Sequence, residues 1–303
     1  MELNFGSVRG LPKEEQRWLN EILSIYNYHQ SKNSKKSVYY NGKIALRDVN
    51  LGIALPSGLG KLEIGCAWGA KTVDVLAARS MFDGFVTEDG RESEDMAEIM
   101  KRNHLIAEYN KAVKEELKYG CAFAALSGEA GAARVRFYSP HCAAAAWNAC
   151  EGRIRYGFAF EDGRRDESDL TWNPEHVNFY TDTDIWQLDR IGGSWYATQS
   201  PHDFGQPLMV ALIWDATQDK PFGQSRLKEP VRRLIQGYVR TVANATIGLE
   251  FATSPQKYLL GVSDEQYDVL VDQKFKQYVG SILFSTNNPE TGENPVLDRK
   301  SVV

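Results

Sequence analysis

The chain has 303 residues, 43% hydrophobic and 25% charged, with a formal net charge of −5. This is material for one large domain or two modest ones with real cores. The acidic balance argues against tight static binding to nucleic acid, which needs excess Lys and Arg to neutralise phosphates, but suits a surface past which DNA slides.

The N-terminus, Met1-Glu2-Leu3-Asn4-Phe5-Gly6, lacks a basic region followed by an apolar stretch, so no signal peptide is read. Leu11-Pro12-Lys13-Glu14-Glu15 opens a helix, since Pro is tolerated in the first turn and acids suit the positive dipole end. Trp18, Ile22, Ile25 and Tyr26 continue it at helical spacing. The polar, basic stretch Ser31–Ser37 is expected to end it, and Asn41-Gly42 signals a turn. A second helix is predicted over Ala70–Ser80, with Val73, Leu76 and Ala77 on one face, ending before Asp83-Gly84. A third, longer one is predicted from Ser93 to Lys118, with Ile99, Ile106, Tyr109, Val113 and Leu117 as its buried stripe and Tyr119-Gly120 as its stop.

From Cys121 the pattern changes to short β-prone stretches: Cys121–Leu126, Arg134–Tyr138, Arg153–Phe160, Val177–Tyr180, Ile185–Ile191 and Trp195–Thr198. Turn chemistry at Glu151-Gly152, Asp162-Gly163 and Gly192-Gly193 separates them, which reads as an antiparallel meander. Met209–Trp214 is expected to be a buried strand closing it. A long helix follows from about Ser225 to Ala252, with Leu227, Val231, Leu234, Tyr238, Val242, Ala245 and Leu249 recurring every three to four residues. After Pro255 come an amphipathic stretch near Glu265–Gln277, an apolar strand at Ser281–Phe284 and a polar, turn-rich end. The longest apolar runs, Cys142–Trp147 and Leu208–Trp214, fall far short of the roughly 20 residues of a bilayer span. A soluble protein is expected.

The chemical motifs fail one by one. Gly58-Leu59-Gly60-Lys61 suggests a phosphate loop, but Leu55 and Leu62 stand where Gly and Ser or Thr are needed, so a plain turn is the reading. Gly223-Gln224-Ser225 is not a nucleophile elbow, because Leu227 occupies the place of the second Gly; Ser225 reads as a helix N-cap. Glu161, Asp162, Asp166, Glu167 and Asp169, and the pair Asp182 and Asp184, lack calcium-loop spacing and read as solvated hairpin loops. The histidines show no paired ligand spacing, and Cys66, Cys121, Cys142 and Cys150 form no C-x-x-C pair, so free thiols are expected. No catalytic, cofactor or metal residue is assigned.

Several stretches, in order, resemble the portal proteins of long-tailed double-stranded DNA phages. They are Tyr39-Tyr40-Asn41-Gly42 after a helix, and Trp68 followed by Val73-Asp74, Ala77, Arg79 and Gly84-Phe85. The long helix ending at Tyr119-Gly120 runs into an alanine-rich strand, and Tyr138-Ser139-Pro140 is similar to the family's Ser-Pro before a further strand. The most specific block is Gly205-Gln206-Pro207-Leu208, then Pro221-Phe222-Gly223-Gln224-Ser225, a long helix, Ser254-Pro255-Gln256-Lys257-Tyr258 and Gly261. Such a likeness bears on fold, and function follows from it only by analogy.

The resemblance implies an α+β portal-type fold: a wing of helices and antiparallel β over residues 1–219, a stem helix over 220–252, and a partial clip from 253. It implies a structural, non-enzymatic subunit of a ring, usually dodecameric, at the capsid vertex of the virion and assembled in the host cytoplasm. DNA would pass without tight binding. Its partners would be further copies of itself, the terminase large subunit, head–tail adaptors, and the major capsid and scaffolding proteins, with no membrane and no cofactor. Relatives continue through a second stem helix and a crown where this chain stops at Val303, so the resemblance implies a C-terminally truncated form. On the stem, Arg232, Arg233, Gln236 and Arg240 are the expected polar face, with Leu234, Tyr238 and Val242 packing laterally. The 14 Tyr, 13 Phe and 7 Trp suit large interfaces as well as an ordinary core. Competing readings are another minor capsid or adaptor protein, a metal-dependent hydrolase around His176, Asp182 and Asp184, and a DNA-binding module using the stem arginines.

Overall fold

The computed structural model describes residues 3–45, 63–86, 94–128, 133–165, 172–253, 257–262 and 282–286. The chain is α+β, with antiparallel sheets alongside its helices. Its contacts form two compact units, Met1–Lys43 with Gly65–Ile235, and Ile44–Ile64 with Gln236–Val303.

Helix α1 (Lys13–Asn41) starts after Pro12 with Glu14 and Glu15 in its first turn, and closes at Gly42, whose N–H bonds the Val38 carbonyl. Leu19, Ile22, Leu23 and Tyr26 form its buried stripe. The expected stop at Ser31–Ser37 does not occur. Asn33 and Ser37 face inward and are buried, where Asn33 Oδ1 accepts from the Lys36 ammonium and the Ser37 hydroxyl is bonded. Ser37 Oγ donates to the Asn33 carbonyl at 3.2 Å and shares a 2.7 Å hydrogen bond with Tyr119 Oη. The Lys36 ammonium donates to the Tyr119 carbonyl at 2.8 Å. Buried hydrogen bonding carries the helix through a stretch whose composition alone argues against it.

Strands β1 (Lys43–Ala45) and β2 (Glu63–Gly65) form a two-stranded sheet, followed by α2 (Trp68–Ala77). The single long helix expected over 93–118 is two: α3 (Glu94–Arg102) and α4 (Leu105–Tyr119). The break is His104, at φ 50°. Asn103 holds it in place, donating to the Ile99 and Ala133 carbonyls and accepting from the Val135 N–H. Consequently Ile106, expected in the stripe, is 54% exposed, while Leu105 beside it is buried. The stop at Tyr119-Gly120 stands as read.

The strands β3 (Cys121–Ser127), β4 (Arg134–Tyr138), β5 (Ala143–Asn148), β6 (Arg153–Arg165), β7 (Trp172–Tyr180), β8 (Asp184–Ile191), β9 (Ser194–Pro201) and β10 (Met209–Ile213) make two sheets. The meander is the five-stranded sheet β5-β6-β7-β8-β9, and β10-β3-β4 is separate. Thus β10 does not close the meander: Met209 pairs with Ala125 and Ile213 with Cys121. Asp162-Gly163 is not a turn either. The β6 strand runs through it to Arg165, with register shifts at Phe160, Asp162 and Gly163 that absorb the irregularity. Gly192-Gly193 is the tight β8–β9 turn, with φ of 59° and 85°, the primed geometry that matches strand twist.

One core joins α1 to the five-stranded sheet through Phe5, Leu19, Ile22, Tyr26, Phe158 and Phe179, among others. Phe158 stacks on Phe160 at 5.4 Å and meets Tyr26 at 5.5 Å. A second core lies where the two sheets meet, at Phe123, Ala145, Ala159, Tyr180 and Met209. Gly157 leaves room for Met209 there: a Cβ on it would stand 2.6 Å from Met209 Sδ and push that side chain aside. A third, smaller cluster gathers Val73, Ala77, Val113, Leu117 and Leu227 from α2, α4 and the segment that follows β10.

The final long helix, α5, spans Glu229–Thr253. Ser225 is not its N-cap. Its hydroxyl donates to the Lys118 carbonyl and accepts from the Leu227 N–H, tying the approach segment to the end of α4. In the second unit, β11 (Lys257–Val262) pairs parallel with β12 (Ile282–Thr286), Lys257 opposite Ile282. Gly58–Lys61, Asp166, Glu167, Asp169, the 265–277 stretch and the polar end lie outside the described residues.

Candidate functional site

The stem residues lie on α5, where a step of about 100° per residue fixes which share a face. The buried stripe is Ile235, Val239, Ala243 and Ile247, each four residues from the last. The expected repeat is therefore displaced by one position, because two apolar series run along the helix and spacing alone cannot say which is buried. The other series points away: Leu234 is 67% exposed, Leu249 65% and Tyr238 36%. Thr241 and Ala245 lie exposed on the same side, and Val242 is half-buried at its border. This is the arrangement of a helix with apolar surface on two opposite sides.

The expected polar face divides. Arg233 and Arg240 are exposed, whereas Arg232 and Gln236 are half-buried. Arg233 donates to Glu229 Oε1 through Nε at 2.9 Å and through Nη2 at 2.5 Å. The Arg232 guanidinium sits 6.0 Å from the centre of the Tyr39 ring, and its buried Nε has no hydrogen-bond partner among the described residues. The four residues therefore do not share one solvent-facing side.

A groove of about 550 Å³ opens at the start of α5. Its floor is apolar, with Tyr26 from α1, Cys121 and Phe123 from β3, Ala144 from β5, and Phe222 and Leu227. Lys32, Lys36, Lys220, Lys228 and Arg232 line it too, with Glu229 as its one carboxylate. Burial pushes the Lys36 ammonium down to about 8; the nearby Cys121 thiol opposes this, and the charges of Arg232 and Lys32 add to it. The His29 imidazole is also lowered, first by burial and then by Lys32 and Lys36. Cations crowd here in a chain that is acidic overall. Sequence reading missed the groove because its lining comes from segments near 25–36, 119–123, 140–145 and 220–232. The basic run at Lys32–Lys36 was its one local signal.

The groups weighed for metal or hydrolytic chemistry do not converge. His176 Nδ1 meets Asp189 Oδ1 at 2.6 Å on the β7–β8 pair, and that bond raises the imidazole's pKa. Asp184, at the far end of β8 from Asp189, accepts from Thr183 and Gln199. Asp182 lies 3.7 Å from Arg153. Five residues of strand separate Asp184 from Asp189, about 17 Å at the usual rise. Glu161 and Asp162 lie within β6 instead of in a loop. Glu161 accepts from Arg136, Tyr138 and Asn178, which makes it a structural anchor between the sheets. Among the described residues, no group of three or more His, Cys, Asp or Glu is placed to hold a metal ion, and no helix is long and apolar enough to cross a membrane.

No protein-family model matches the chain, and no curated protein proves similar to it.

Proposed function

We propose that this chain is a structural subunit of a portal-type head-to-tail connector, which assembles side by side with copies of itself into a ring around a DNA channel. The observation that carries the reading is the second apolar side of α5. A helix of 25 residues is about 38 Å long. Its Ile235, Val239, Ala243 and Ile247 are buried within the chain, while Leu234 remains open on the opposite side with Thr241 and Ala245. Exposed apolar and small side chains along one side of a long helix suit packing against another protein surface. In a ring that side meets the next copy, and the exposed arginines between it and the buried stripe, Arg233 and Arg240, face solvent or the channel. The net charge of −5 keeps passing DNA from sticking.

On this reading the chain has no chemistry of its own. Terminase supplies the work of packaging, and adaptor, major capsid and scaffolding proteins bind the ring. The ordered motif series from Tyr39-Tyr40-Asn41-Gly42 to Gly261 supports the reading by resemblance. Negative-stain microscopy of the purified chain across a range of concentrations tests it. Closed rings with a central hole are the expected result. Particles of single-subunit size at every concentration would overturn the reading and return the choice to a minor virion protein.

A further inference from the structure

We propose that the groove at the start of α5 is a docking site for an acidic peptide segment of a partner protein, anchored by an aromatic or aliphatic side chain.

The charge pattern points there first. The groove's one carboxylate, Glu229, already pairs with Arg233, and Lys228 pairs with Asp215 at 2.6 Å. Four cations remain. Among the described residues none of them meets a carboxylate: Lys32 lies over the Tyr28 ring, Lys36 donates to a backbone carbonyl, Lys220 to Gln224, and Arg232 faces Tyr39. Like charges gathered without counter-charge repel one another, which is why Lys36 feels Lys32 and Arg232. An acidic ligand relieves that repulsion. Arg232 lines the groove, and its Nε has no hydrogen-bond partner among the described residues, so its charge is open to pairing. The N-terminus of α5 adds its partial positive charge to the same space.

The floor then selects among anions. Phe123, Ala144, Phe222 and Leu227 offer a small ion nothing. A volume of about 550 Å³ takes one or two side chains with a short stretch of backbone. Duplex DNA is far too wide to reach the floor and would touch only the rim. An acidic chain with a Phe or Leu anchor uses both floor and rim. The site is separate from the exposed strip on α5, so it stands whether or not the ring reading does.

The test is fluorescence anisotropy with three labelled nonapeptides: Glu- and Asp-rich around a central Phe-Leu pair, the same with Gln and Asn for the acids, and the same with Ala-Ala for the anchor. Citrate and a duplex oligonucleotide serve as competitors. The acidic, anchored peptide should bind at least about tenfold more tightly than either relative, and K32E/K220E should lose that margin. Both substitutions are at exposed lysines, and an unchanged melting curve shows the fold is intact. Equal binding of the three peptides, or of the wild type and the variant, would overturn the proposal. Full displacement by citrate or by the duplex would also overturn it, in favour of a plain anion site or a nucleic-acid contact.

Discussion

Helices α1 and α5 are the two longest in the chain, 29 and 25 residues, and they settle their apolar surface differently. Leu19, Ile22, Leu23 and Tyr26 of α1 are buried against the five-stranded sheet, and even its inward polar residues, Asn33 and Ser37, are bonded. In α5 one series, Ile235 to Ile247, is buried, and a second, beginning at Leu234, is exposed. On α1 the exposed large apolar side chains, Tyr28 and Val38, lie outside the buried stripe and ten residues apart. On α5 the exposed side chains Leu234 and Leu249 stand alongside the buried stripe.

The comparison is broken most forcefully in the core of α1. Phe158 is fully buried between Phe5, Tyr26 and Phe160, so Phe158→Ala should cost about 3–5 kcal/mol in denaturant unfolding. A loss below about 1 kcal/mol would mean the α1–sheet core is misassigned. Next comes Gly69→Ala. Its Cβ would stand 2.1 Å from the Tyr39 carbonyl oxygen, so α1 and α2 must part, at about 1–3 kcal/mol. By contrast, Leu234→Ala in the isolated chain should change stability by less than about 0.5 kcal/mol, because its side chain is exposed to water there. A large loss in the isolated chain would erase the distinction between the two helices.

Lys36 sharpens the contrast by pH. Its ammonium is held down to about 8 in the fold, against about 10.4 unfolded. Above the folded value the unfolded chain holds the extra proton, so this group's contribution to stability rises with pH from about 8 to about 10.4. NMR of dimethylated lysines should find Lys36 titrating low, and Arg232→Gln should move it upward by removing a repelling charge. An unmoved Lys36 would mean Arg232 does not reach it. The smallest effect belongs to Arg233→Ala. Its ion pair with Glu229 is exposed on both sides and should be worth about 0.5 kcal/mol or less by thermal melting.

What was legible in the sequence was local. Gly120, Gly192-Gly193 and the bounds of β4 are set by turn chemistry and alternation within a few residues. Alternation does not mark strand β5, because Ala143–Ala146 is buried on both faces and alanine is a poor strand former; only the resemblance at Tyr138-Ser139-Pro140 pointed to a strand there. The partner of β10 was hidden because its pairing with β3 spans more than eighty residues. His104 breaks a helix through bonds that Asn103 makes to the segment at Ala133 and Val135, which no helical repeat can announce. On α5 the periodicity was visible, but not which of two apolar series is buried. The groove's cations converge only in three dimensions.

The account stands most directly on the exposed strip of α5, and sedimentation equilibrium of the wild type beside L234E/A245E measures it. The account predicts a concentration-dependent oligomer for the wild type and a folded monomer for the variant, with identical circular dichroism. The same mass for both, whether monomer or oligomer, would contradict it.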